Sequence, residues 1–154
     1  MKKIFIFLVL FSFAQADEKS AKVVYDLTTK NLEKFEKVIL KGVVLNKANY
    51  QGQFKELDVA IVIHGGAYRF FVKDIDKTIF KKDTKLVKIY SDLKKRIASL
   101  SDTYDVEFLM CNAALKRNHL TPEDIVTFVK IIPNSTIGLI DKQNDGYAYI
   151  PLRD

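Results

Sequence analysis

The sequence predicts an α/β protein, a three-layer α/β/α sandwich around a mainly parallel sheet of about five strands. Three observations carry this. Leu57 to Ile63 (LDVAIVI) is almost continuously apolar, as a strand buried on both faces must be. Leu86, Tyr90, Leu93, Ile97 and Leu100 recur at spacings of three and four, which places them on one face of a helix. Strand-like runs alternate with helix-like stretches along the chain in the order βαβαβαβαβ, which implies crossover connections of the right-handed kind.

Taken in order, Lys22 to Leu27 reads as the first strand. Leu32, Phe35, Val38, Ile39 and Val43 then define an apolar stripe on a helix over residues 31–48. Gly42 lies inside that helix, at a cost of about 1 kcal/mol relative to alanine. The strand 57–63 ends at His64-Gly65-Gly66, where the glycines permit a sharp exit. Residues 67–82 lack a period and are expected to form a flap over the strand ends. Asp83 or Thr84 caps the helix that follows. Tyr104 to Met110 (YDVEFLM) is the third strand, with Cys111 at its end and a short helix expected over residues 112–118. Thr121-Pro122-Glu123-Asp124 has the composition of a helix start, with a capping residue, a proline in the first turn and acids at the positive end of the dipole. Val129 to Ile132 makes the fourth strand, Ser135 to Gln143 the last helix, and Tyr147 to Ile150 the fifth strand.

Residues 1–16 read as an export signal. Lys2 and Lys3 precede an apolar run from Ile4 to Phe13, and Ala14-Gln15-Ala16 supplies small residues at the cleavage positions. The run is shorter than the roughly 20 residues a helix needs to span a bilayer. The expectation is therefore a periplasmic or otherwise exported protein, with no stable membrane insertion after cleavage. The 138 residues from Asp17 to Asp154 suit one domain. Cleavage lowers the formal charge from +6 to +4. The remaining bases are interspersed with acids over Lys30 to Lys41 and Lys73 to Lys88, which argues against nucleic acid as a partner.

The chain has one cysteine, Cys111, so no intramolecular disulfide can form. Its place at a strand's carboxyl end is where open α/β sheets bind ligands, and a following helix would stabilise the thiolate through its dipole. The other reading is a small apolar residue closing the core, because free cysteine is among the most buried residue types. His64 ends a different strand at the same edge of the sheet, either to pair with the thiol as in nucleophilic Cys-His sites or to hydrogen-bond its own turn. Lys116, Arg117 and His119 would hold an anionic sulfur group or form an exposed face. Two histidines and one cysteine offer no zinc spacing, so no metal is expected, and no nucleotide fingerprint is present, so no cofactor is expected.

Three segments, Val62-Ile63-His64-Gly65-Gly66, Val106 to Met110 running into Cys111-Asn112, and Ile140 to Tyr149 (IDKQNDGYAY), resemble in order and spacing the DsrE/DsrF-like family of small sulfur-relay-related proteins, and its exported members in particular. The resemblance runs from about residue 22 to the carboxyl terminus. It implies a three-layer α/β fold, assembly as a homo-oligomer (trimer or hexamer), and for some members a cysteine that carries sulfur as a persulfide, a role that falls here on Cys111. Gln143, Gly146 and Tyr147 match its closing pattern. The resulting expectation is a periplasmic sulfur carrier, more carrier than turnover enzyme. Cys111 and His64 would do the chemistry, with Gly65, Gly66, Asn112, Lys116 and Arg117 as ligand contacts and a sulfur donor or acceptor protein as partner. The alternative is a homo-oligomeric module that binds a small ligand without covalent chemistry.

Overall fold

The computed structural model describes residues 20–154, so the export signal read in residues 1–16 lies outside the described residues. Five strands form one sheet, all parallel, in the order β4-β3-β2-β1-β5. They are β1 (Ala21–Leu27), β2 (Leu57–Ile63), β3 (Val106–Cys111), β4 (Val129–Ile132) and β5 (Ala148–Leu152). The first four step across the sheet in one direction, and β5 returns to the far side of β1.

The pleat sorts side chains onto two faces. Val23, Tyr25, Leu27, Val59, Ile61, Ile63, Val106, Phe108 and Met110 point into the larger core. That core is closed by two helices, α1 over residues 32–51 and α2 (Thr84–Asp102). Asn31 caps α1 by accepting from the Lys34 amide. The middle of α1, Glu36–Gly42, is a π-helical stretch between Leu32–Phe35 and Val43–Gln51. Gly42 sits at its end, where a Cβ would approach the Lys37 carbonyl oxygen to 3.2 Å. Helix α2 buries the five residues its periodicity marks, and Asp83 caps it through the Leu86 amide. Each such apolar side chain stabilises the fold by about 1.5–3 kcal/mol when fully buried.

The second face is smaller. Val24, Ala60, Val62, Leu109 and Ile132 form its cluster, covered by α3 (Ser135–Asn144) through Leu139 and by Tyr147. Gly138 lets α3 approach closely, since a Cβ there would lie 2.4 Å from Ile132 Cδ1. The helix ends in a Schellman motif: the Gly146 amide donates to Gln143 and the Tyr147 amide to Lys142, with Gly146 at φ +87°. Glycine and aromatic in the closing pattern thus each serve this helix end, and the Lys142 ammonium sits 4.9 Å from the centre of the Tyr147 ring.

Three expectations are corrected. Residues 67–82 are not a flap: their 3₁₀ turns bury Ala67, Tyr68, Phe70, Phe71, Val72, Ile75 and Phe80 in the larger core. Phe70 stacks on Phe35 at 4.4 Å between centroids, and Phe71 bridges Phe35 to Phe108. An aromatic run with no helical or strand period gave no signal, yet its area alone fixes it inside. Second, residues 112–118 form two 3₁₀ turns, Asn112–Ala114 and Lys116–Asn118, rather than a helix. Third, the start at Thr121 has its capping box, with Asp124 bonded to the Thr121 amide and hydroxyl, but stops after one turn, Pro122–Asp124. Ile125 there is extended and bridges to Val72, so pairing with the buried segment takes over from the helix.

Candidate functional site at the strand ends

The connections leaving β1, β2 and β3 pass to the face of the larger core, whereas the one leaving β4 passes under the sheet to α3. Connections therefore diverge between β3 and β4, the switch point at which open parallel sheets leave a crevice at their carboxyl ends. Cys111 ends β3 at that point, paired with Ile132 of β4.

Its side chain continues the parity of Leu109 and so belongs to the face of the smaller cluster. The residue is buried, 5% exposed. Tyr68, fully buried, reaches the strand end from the larger core and donates its hydroxyl to the Cys111 carbonyl oxygen at 2.5 Å. Burial first, then the neighbouring Cys111 side chain, push the Tyr68 hydroxyl well above the ordinary phenol range, so it remains a donor. Arg117 is the nearby positive charge that acts on the same hydroxyl. Asn112, Lys116, Arg117 and His119 are exposed beyond it. The 3₁₀ turn that Cys111 opens is too short to carry the helix dipole expected there.

His64 leaves β2 one residue after the Ile63–Met110 pair, on a strand adjacent to that of Cys111. Its Nε2 lies 2.5 Å from Asp26 Oδ1, and no hydrogen bond joins it to Cys111 among the described residues. Gly65 and Gly66 pack against the turn after β1. Gly65 has φ +60°, the Gly66 amide donates to the Thr28 carbonyl, and a Cβ at Gly66 would lie 2.8 Å from Lys30 Cβ.

Asp26 is the centre of a second constellation at the same edge. It is 2% exposed, near the end of β1, and its Oδ2 accepts from Tyr149 at 2.6 Å and from Arg153 at 2.9 Å. Arg153 also donates to the Tyr149 hydroxyl, and its carbonyl accepts from Lys34. Burial would raise the Asp26 carboxyl, but hydrogen bonds from Tyr149, His64 and Arg153 together hold it below the usual carboxylate range. The result is an ionised buried carboxylate with every contact satisfied by a donor.

Sequence reasoning placed Cys111 and His64 at one edge and missed Tyr68, Asp26, Tyr149 and Arg153. The available signal was Asp26 itself, a lone acid within an apolar strand, which a fold tolerates only with buried partners. A cavity of about 530 Å³ lies at the opposite end of the sheet, lined by Val44, Lys47, Leu57, Tyr104 and Asp105 among others. It includes none of these residues. No group of three His, Cys, Asp or Glu side chains among the described residues is placed to hold a metal ion. No helix among them is long and apolar enough to cross a membrane.

An all-parallel α/β sandwich with a buried cysteine at its β3–β4 strand ends, and at the same edge a buried carboxylate bonded to a part-exposed imidazole, defines a small α/β protein of the open parallel-sheet class. The chain belongs to the DsrE/DsrF-like family, whose model matches residues 7–152. That membership supports a sulfur-relay-related role in general. An uncharacterized protein of Aquifex aeolicus (strain VF5) is 31% identical over 153 residues. The alignment covers 98% of this chain but 64% of the relative, so the chain spans under two thirds of that protein's length. A solved structure, of a protein of unknown function from Methanobacterium thermoautotrophicum, shares the fold at a TM-score of 0.60 and 14% identity, covering 86% of this chain and all of the other.

Proposed function

We propose that this protein is an exported, periplasmic sulfur carrier that holds sulfane sulfur as a persulfide on Cys111, working as a homo-oligomer. The supporting observation is the position of Cys111, the only thiol in the chain, at the β3–β4 switch point beneath Tyr68 and near Arg117. In the step proposed, the Cys111 thiolate attacks the terminal sulfur of a donor persulfide. A new S–S bond forms at Sγ, the donor's S–S bond breaks, and the donor leaves as a thiolate, so no external oxidant is consumed. His64 takes up the thiol proton and returns it to the departing thiolate. Lys116 and Arg117 lie exposed beyond the cysteine, where they favour the anionic persulfide, with Asn112 beside them.

The burial of Cys111 favours a second reading, a homo-oligomeric module that binds a small ligand at the strand ends without covalent chemistry. Intact-mass measurement of protein isolated without reductant and then exposed to polysulfide separates the two. Gain of one sulfur atom, lost with dithiothreitol and absent in Cys111→Ala, supports the carrier. A thiol that stays unmodified, with a small molecule copurifying, overturns the carrier in favour of the binding module.

A further inference from the structure

We propose that Asp26 is a positioning residue that holds His64 in the Nε2–H form and leaves Nδ1 as the proton acceptor facing the thiol edge. The inference rests on the carrier reading for its purpose, but its geometry stands apart from it. Asp26 Oδ1 lies 2.5 Å from His64 Nε2, and an ionised carboxylate can only accept, so Nε2 must carry the proton. Asp26 is kept ionised by Tyr149 and Arg153 on its other oxygen. His64 Nδ1 makes no hydrogen bond within the described residues, and the imidazole is about a quarter exposed, its side chain at 27%. Asp26, His64 and Cys111 share the parity of Val24, Val62 and Leu109, so the pleat sends all three to one face. Adjacent parallel strands run about 4.8 Å apart, and the Ile63–Met110 register carries on to set His64 opposite Cys111, so Nδ1 serves the neighbouring strand end while Nε2 stays bonded to Asp26.

Cys111 S–H gives its proton to Nδ1, the imidazole becomes an imidazolium, and the Asp26 carboxylate opposite stabilises that charge without accepting the proton. The charged group bonded to His64 is Asp26 from β1; on the other oxygen of that carboxylate sit the Tyr149 phenol of β5 and the Arg153 guanidinium after it, with Lys34 of α1 tied to the Arg153 carbonyl.

The test is ¹H–¹⁵N correlation of the imidazole in the full chain, with His119→Gln to assign His64. The wild-type spectrum should show Nε2 protonated and Nδ1 bare, and a protonated Nδ1 in neutral His64 overturns the proposal without any further variant. In Asp26→Asn the tautomer should become mixed and iodoacetamide alkylation of Cys111 at neutral pH should slow by about a hundredfold, the lower end of a positioned base's effect. Tyr149→Phe should leave the tautomer in place. An unchanged tautomer and rate in folded Asp26→Asn also overturns the idea. Failure to form a persulfide would defeat the carrier function alone, because the tautomer and the alkylation rate do not depend on sulfur transfer.

Discussion

Tyr68→Phe removes one oxygen from a fully buried side chain and leaves the rest of its packing in place. What it deletes is the 2.5 Å bond to the Cys111 carbonyl, which is the main-chain group at the end of β3. A buried carbonyl deprived of its donor costs about 1–3 kcal/mol. If that cost falls on the strand end, the locally open state of Cys111 gains population by roughly tenfold per 1.4 kcal/mol. Tyr90→Phe is the matched control, because Tyr90 is also buried and donates to a main-chain carbonyl, that of Val72, at 2.7 Å. Both variants should lose similar global stability by urea titration. Native-state labelling of Cys111 by a maleimide should rise by about tenfold in Tyr68→Phe and by less than about threefold in Tyr90→Phe. Equal acceleration in both would mean that the thiol is reached only by global unfolding. No acceleration in Tyr68→Phe would mean that its hydroxyl does not hold the strand end, and either result refutes the reasoning.

Gly66→Ala forces a Cβ to within 2.8 Å of Lys30 Cβ and 3.2 Å of the Thr28 carbonyl oxygen, so it should lower stability by about 1–3 kcal/mol in denaturant titration. The folded Asp26 carboxyl titrates below its unfolded value, so its contribution is fully present above the ordinary carboxylate range and is lost as pH falls through the lowered value. A Tyr149→Phe, Arg153→Met double variant should therefore lose less stability than the wild type as pH falls through and below the ordinary carboxylate range, and an identical loss would remove the role assigned to the cluster. Light scattering should find a trimer or hexamer, and Ile140→Lys should shift it toward monomer, since Ile137, Ile140 and Tyr149 expose apolar surface around α3 and the open β5 edge. Intact mass of the exported fraction should begin at Asp17, and retention of Met1 would defeat the signal reading.

The sheet was legible because its strands are buried on both faces and therefore write continuous apolar runs, as LDVAIVI does. The α2 helix was legible because one polar and one apolar face force a period. Residues 67–82 were not, since Phe70 and Phe71 are held by contacts with α1 and β3, and Val72 by its bridge to Ile125, all distant in sequence and without a local repeat. The site divided in the same way. Cys111 and His64 stand at the ends of recognisable strands, so their edge could be inferred from topology. Asp26 gains Tyr149 and Arg153 from more than 120 positions away, and Arg153 lies beyond the last expected strand, so no spacing rule brings them together.

The return of β5 to the side of β1 also governs the order in which the molecule can be completed. Strands β1 to β4 can pair as they emerge, each with a neighbour close in sequence. The outer edge of β1 has to wait for residues 148–152, and Asp26 for Tyr149 and Arg153, across the widest separation in the fold. Contacts of such separation form late, after the loop-closure entropy of the whole chain has been met. Until then β1 offers an unpaired edge and a carboxylate with its Oδ2 unmet. In the export proposed above, a chain threaded from its amino end would carry that incomplete edge across the membrane before its partner arrives. Amide exchange in a refolding time course should accordingly show protection at the β1–β5 ladder later than at β2–β3.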